Sequence, residues 1–341
     1  MVRAAAAAAV AALCCAAGAY AQGGSVAASQ MSPVKAPKLK LLWSEEFKGK
    51  HGLPSTVLTS SRVDSKKYFW TTEINGNPNN RERQFYLDTP VQYNTTGSVK
   101  HWAIELDGSG NLAINAQAPR PAGVTYPSTY PYVDCGYGQC EWLSGRMNTQ
   151  GKLGFMYGRI EARIKVPEGE GTWPAFWMLG ANINKVNWPS CGEIDIMEAS
   201  ATNRYGQAFG SLHSQPDDQY NYGITASVSP DNFYSAFHTY AIDWVKDRID
   251  FSVDGKVYNS VTKAIMTSTS NAVQTQYGKL ARRGWPFNQE FFLIVNLAMG
   301  GSIGGDPNDE FRAPAGATGG TMLIDYIRYY AINGIGKLVR H

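Results

Sequence analysis

Ten residues, GRIEARIKVP from Gly158, alternate without error: Arg159, Glu161, Arg163 and Lys165 on one side, Ile160, Ala162, Ile164 and Val166 on the other. A two-residue period is what a half-buried antiparallel strand requires and what a helix cannot use. The pattern recurs. HWAIELDGSGNLAINAQ reads as two alternating runs around a Gly-rich turn, and IDFSVDGKVY repeats the device around Asp254-Gly255, a strong hairpin signal. FFLIVNLAMGG is almost wholly apolar, with Asn296 as its single polar side chain, and reads as a strand buried on both faces. TMLIDYIRYYAI reads as a closing strand. No internal repeat and no long amphipathic helix is found. Many short strands with 35 glycines and 17 prolines predict an all-β chain, an antiparallel two-sheet sandwich or jelly roll whose long loops shape a cleft.

The N-terminus predicts a secretory signal. Arg3 precedes a small apolar run from Ala4 to Gly18 and an A-x-A-like site ending at Ala21. The expected organisation is a signal at 1–21, a flexible linker at 22–39, one domain over 40–332 and a C-terminal tail at 333–341, in a secreted monomer. Cys14 and Cys15 leave with the signal. Among Cys135, Cys140 and Cys191, export permits a small loop closed by the first two, or a pairing of Cys191 with one of them. Asn94-Thr95-Thr96 is a glycosylation sequon, of consequence only in a eukaryotic host. The net charge of +3, or +2 without Arg3, comes with no basic cluster, which excludes nucleic acid as a partner class. With 17% charged and 12% aromatic residues, the composition suits a neutral, ring-shaped ligand.

Against that background GEIDIMEAS, from Gly192 to Ser200, is anomalous: it places Glu193, Asp195 and Glu198 in an otherwise apolar strand. Glu193 and Asp195, two apart, share a face. Glu198, five from Glu193, would point into the core, at a cost of several kcal/mol for an unpaired charge. A β-bulge at Ile196 or Met197 removes the conflict by re-aiming every later side chain. Two carboxyl groups flanking a glycosidic bond are the machinery of glycoside hydrolysis, and a retaining enzyme needs them roughly 5 to 5.5 Å apart. The two glutamates would be roughly 13 Å apart at the backbone, a gap their side chains can close on the concave side of a curved sheet. Crowding should divide their pKa values into one ionised nucleophile and one protonated acid. A solvated acidic strand face and a calcium site are the rival readings. The flanking Ile, Met, Gly and Cys residues argue against the first, and the lack of a turn-glycine loop against the second. Upstream, GTWPAFWML adds Trp173, Phe176 and Trp177, and NWPS adds Trp188; indoles stack on sugars, but core packing is the reading for Phe176 and at least half of the nine tryptophans.

Taken in order, YGRIEARIKVPEGEGTWPAFWMLG, WPSCGEIDIMEAS, FHTYAIDWVKDRIDFSVDG, GWPFNQEFFLIVNLAMGG and IDYIRYYAI resemble glycoside hydrolase family 16, on its laminarinase-like endo-β-1,3-glucanase side, and LLWSEEF and NNRERQFY fit as well. The match runs from about Leu41 to Ala331. The resemblance implies a β-jelly roll with a concave substrate cleft and retaining double displacement on β-1,3 bonds of laminarin-like glucans, with β-1,3-1,4 bonds as a second linkage. It implies Glu193 as nucleophile, Glu198 as general acid/base and Asp195 as the residue that holds the nucleophile. It further implies a histidine, His213 in GSLHS, near the acid/base, and glucose contacts at Asn80, Arg146, Trp173 and Trp177. Glu82 reads equally as structural, bonding loop backbone at the cleft edge. No cofactor is required; some members hold a structural calcium through an Asp of the last strand, here Asp325. The segments VDCGYGQCEW and VQTQYGKLARRGWPF depart from the minimal pattern and leave the cleft ends open. A non-catalytic glucan-recognition protein, a transglycosylase, and an agar- or carrageenan-cleaving enzyme are the alternatives on the same fold. The last would call for more cationic cleft residues than the chain supplies.

Overall fold

The structure is a computed structural model describing residues 37–58, 68–76, 80–87, 93–94, 100–101, 103–117, 142–214, 223–274, 280–305 and 319–341. The signal, most of the linker, Thr95, Thr96, Cys135 and Cys140 lie outside the described residues. So do most of VDCGYGQCEW and residues 275–279.

Among the described residues eighteen strands build two large sheets. In chain order they are β1 (Leu39–Glu45), β2 (Val57–Leu58), β3 (Trp70–Thr72), β4 (Ile104–Leu106), β5 (Leu112–Ala116) and β6 (Arg146–Asn148). Then come β7 (Leu153–Met156), β8 (Gly158–Lys165), β9 (Thr172–Gly180), β10 (Glu193–Ser200), β11 (Arg204–His213) and β12 (Ile224–Val228). The last six are β13 (His238–Val245), β14 (Arg248–Val253), β15 (Lys256–Thr262), β16 (Phe291–Met299), β17 (Gly320–Ile332) and β18 (Lys337–Arg340). The back sheet runs β15-β14-β13-β8-β17-β5-β4, with β1 also on β17. The front sheet runs β12-β11-β10-β9-β16-β6-β3-β2, and β7 joins it to β18. All of these pairings are antiparallel except β2 with β3. This is the all-β, two-sheet jelly roll that the alternation predicts, and the helices among the described residues are four residues or shorter.

The period-two pattern explains the layering. Ile160, Ala162 and Ile164 of β8 share one buried cluster with Phe176 and Met178 of β9, Ile194 of β10, and Leu293, Val295 and Leu297 of β16. The other face of β16 is buried too, since Phe292 and Ile294 pack with Leu179 and Cys191 in a second cluster under Trp177 and Trp188. Asp254 (φ 49°) and Gly255 (φ 75°) make the left-handed two-residue turn between β14 and β15, a conformation that Gly adopts at little cost and that matches strand twist. Phe176 is wholly buried at the centre of the inter-sheet layer. Phe176→Ala should therefore cost about 3–5 kcal/mol of stability in urea unfolding, read at the denaturation midpoint.

The expected tail is a strand. Asn333 (φ 51°) and Gly334 (φ 84°) turn the chain back, and β18 pairs with β7 from Leu153↔Arg340 to Met156↔Lys337. The domain extends to Arg340, beyond the predicted end at 332. Four residues, KLVR, are too few to display an alternation, and their pairing partner lies far back in the sequence.

Candidate active site

Directly opposed residues of an antiparallel pair share a face, so the registers of β9, β10, β11 and β16 define what lies together. Opposite β10, Phe176 pairs with Met197 and Trp177 with Asp195, leaving Ile196 without a counterpart. On the other side Asp195 pairs with Ser211 and Glu198 with Phe209, so Ile196 and Met197 together face Gly210 alone. That is a β-bulge at the place the spacing of the acids demands. Ile194, Ile196 and Met197 stay in the core cluster, and the three acids turn to the opposite face of the front sheet.

Three rows cross that face. Arg146, Asn296, Ala175, Glu198, Phe209 and Ser227 form the first. Asn148, Ile294, Trp177, Asp195 and Ser211 form the second, and Phe292, Leu179, Glu193 and His213 the third. The Trp188 indole N–H donates to Glu193 Oε2 at 2.8 Å, and the Trp173 indole N–H donates to Glu198 Oε1 at 2.8 Å. His213 stands across from Glu193, its Nε2 3.1 Å from Asp195 Oδ2 and 3.9 Å from Glu193 Oε1. The β10–β11 register sets it opposite the first acid of the motif, and its charge also reaches Glu198, the expected acid/base.

Burial governs the electrostatics. It pushes Glu193 up to about 8, with the Asp195 charge adding to it and His213 and Trp188 opposing it. It pushes Glu198 up to about 7, opposed first by the Trp173 N–H and then by His213. Asp195, almost fully buried, is raised well above the carboxylate range, first by burial and then by the Glu198 charge. The face therefore retains protons at neutral pH, where separate surface carboxylates would have lost them.

The other expected contacts fall into a connected set on the β16–β6 flank. Trp177 donates through its N–H to Asn296 Oδ1 at 2.7 Å, Asn296 Nδ2 donates to the Tyr86 hydroxyl at 3.1 Å, and Tyr86 donates to Glu82 Oε2 at 3.3 Å. Buried Glu82 also accepts from Gln84 at 2.5 Å and from exposed Asn80 at 3.2 Å. Arg146 lies 4.9 Å over the Trp177 ring and is held by Glu73, Nε to Oε2 3.0 Å. Trp177 is half-buried, whereas Trp173 is 7% exposed and spends its N–H on Glu198, so it offers little ring face for stacking. Phe176 is core, as read. Sequence reasoning did not single out Glu73 or Tyr86 as site residues; the signal available was Asn296, a lone amide in an apolar strand, which joins the tryptophan to the buried tyrosine and glutamate.

Among the described residues one group of side chains converges closely enough for a metal, Glu193, Asp195 and His213, with ligand atoms within 4.8 Å of one another. Asp325 does not fit calcium: its oxygens face Arg163 Nη1 at 2.7 Å and Lys48 Nζ at 3.8 Å, and a cation would have to displace both. Cys191 is a buried free thiol, raised by burial to about 12.

The chain is similar to known proteins in sequence and in fold. The model of glycosyl hydrolases family 16 matches residues 90–290. The beta-glucanase of Rhodothermus marinus is 31% identical over 304 residues, covering 87% of this chain and 86% of that protein. The glucan endo-1,3-beta-glucosidase A1 of Niallia circulans is 30% identical over 301 residues, covering 86% of this chain and 38% of its own length. In three dimensions the endo-beta-1,3-glucanase of Pyrococcus furiosus superposes with a TM-score of 0.63 at 28% identity, covering 88% of this chain and 97% of that one. With the jelly roll and its bulged acidic strand, these similarities place the chain in glycosyl hydrolase family 16, as a glycoside hydrolase.

Proposed function

We propose that the chain is a secreted, retaining endo-glycosidase that cleaves internal β-1,3-glucosidic bonds of laminarin-like glucans. The observation that carries this reading is the bulge at Ile196, which turns Glu193 and Glu198 to one face with Asp195 between them. In the first step the Glu193 carboxylate attacks the anomeric carbon while Glu198 gives its proton to the glycosidic oxygen, and the carbon–oxygen bond breaks. In the second, Glu198 takes a proton from water, the water oxygen attacks the anomeric carbon, and Glu193 is released as a carboxylate.

The protonation states follow from burial. With its shift to about 7, Glu198 is half-protonated at neutral pH, as a donor must be. Glu193 must be ionised, although burial and the Asp195 charge oppose this. Placing a proton on Asp195, the more deeply buried of those two, removes the opposing charge and leaves Glu193 facing the Trp188 N–H and His213. Asp195 thus serves as the proton-holding neighbour of the nucleophile. The apolar run from Ala4 and the site at Ala21 support export.

Digestion of laminarin, lichenan, agarose and κ-carrageenan with product sizing tests the proposal. Laminarin should yield short oligosaccharides from internal cuts, with lichenan second. Laminarin affinity without new reducing ends would replace this reading with a recognition protein, and preferential cleavage of either galactan would replace the substrate.

A further inference from the structure

The front sheet contains a second five-residue offset, between Arg204 and Phe209 of β11, which puts the two on opposite faces of a regular strand. The register resolves it as it does for the acids. Ala199 pairs with Ala208 but Ser200 pairs with Arg204, so Tyr205, Gly206 and Gln207 are looped out. An odd number of extra residues returns Arg204 to the face of Phe209. The loop is tied down. Tyr205 donates its hydroxyl to Glu168 at 2.6 Å, and Gly206, at φ 72°, donates its N–H to the Tyr234 oxygen at 2.8 Å. Arg204 thereby lies 4.5 Å over the Phe209 ring, with Nη1 donating to Ser227 Oγ at 3.3 Å. Phe209 and Ser227 are the residues that continue the Glu198 row toward the sheet edge. Arg146 over Trp177 lies on the opposite flank of the acids.

From this geometry we infer that Arg204 is a specificity-determining residue for the sugar unit bound on the β11–β12 side of the acids, where its planar guanidinium, parked on Phe209, donates to glycan hydroxyls. The inference rests on the glycosidase reading. It makes the site two-sided: one arginine–aromatic pair on each flank, with the scissile bond between them. The Arg204 charge also reaches the acid/base, holding it lower than it would otherwise be. The other charged or titratable groups that face Glu198 are Glu193 and Asp195 on its own strand and His213 on β11. Trp173 on β9 faces it with a neutral donor, and the Gly301–Gly304 turn bonded to Ser200 carries no titratable side chain.

Arg204→Met and Arg204→Lys separate this from a structural role, using two substrates: a β-1,3-gluco-oligosaccharide long enough to span both flanks, and an aryl β-laminaribioside whose leaving group is not a sugar. For Arg204→Met the loss in kcat/KM should be about tenfold greater on the oligosaccharide than on the aryl glycoside. Its alkaline limb should move to higher pH, because removing a positive charge raises Glu198. Arg204→Lys should restore the limb but only part of the oligosaccharide rate, since a point charge replaces the fork. Ser227→Ala should show the substrate effect in weaker form. Equal losses on both substrates with an unmoved pH profile, in a variant of unchanged melting temperature, overturn the inference. A wild-type chain inactive on every β-1,3-glucan overturns the glycosidase reading instead.

Discussion

Glu193→Gln and Glu198→Gln should each lower laminarin turnover by about three orders of magnitude or more while leaving the fold intact, because each amide keeps the shape and the indole hydrogen bond but loses the ionisable oxygen. Retention of more than about a tenth of wild-type activity by either would remove the corresponding role. The two losses should also be different in kind. In Glu193→Ala a small anion such as azide can enter the vacated space and displace the leaving group from that face, giving a glycosyl azide of inverted configuration. In Glu198→Ala the glycosyl-enzyme still forms from a substrate with a good leaving group, and azide then attacks it, giving the retained configuration. Product stereochemistry, read by proton coupling constants, therefore assigns nucleophile and acid/base separately. The same anomer from both variants would exclude the proposed division of roles.

The second large effect concerns stability. Glu193 is raised from 4.5 to about 8 in the folded chain and its neighbour Asp195 well above the usual carboxylate range, so over that interval the native pair shares a proton, held by Asp195 in the reactive form, that the unfolded state has released. Stability therefore falls as pH rises from about 4.5 to 8, the reverse of the behaviour of a salt-bridged carboxylate. Glu193→Gln removes this penalty. Relative to wild type, it should be little changed near pH 4 and should gain on the order of a few kcal/mol by pH 8.5, measured as the difference in urea-unfolding free energy. Because Glu193, Asp195 and Glu198 titrate as a set, the gain belongs to the set. Glu45 and Glu82 are also raised by burial, but both remain in the variant and cancel in the difference. Parallel pH dependences for the two proteins would show that the acids are not desolvated as the structure implies. A gain accompanied by loss of turnover is the signature of a site kept reactive at the expense of stability.

How much of this was legible beforehand depends on the range over which each feature is encoded. Strand alternation at 158–166 and the Asp254-Gly255 turn are local, dictated by side-chain period and by backbone sterics, and both appear where they were read. The bulge was legible for a related reason. Three acids spaced two and then three can share a face only if one residue is absorbed, and burying Glu198 unpaired is the costly alternative. The spacing left open which residue is absorbed, and the β9 register supplies Ile196. The same five-residue arithmetic was present at Arg204 and Phe209 but went unread, since a half-exposed arginine carries no comparable burial penalty to force the conclusion.

What the sequence by itself determined is the period of the strands, the turns between them and the presence of three acids on one strand face, because hydrophobic period, positive φ and the cost of buried charge all act within a few residues. The tertiary structure alone decided which partners those acids meet. The cross-strand register set His213 against Glu193 and the Trp173 N–H on Glu198, joined Trp177 to Glu82 through Asn296 and Tyr86, and folded Lys337–Arg340 back as a strand. Those pairings link residues distant along the chain, and packing and sheet geometry, rather than any local preference, select them.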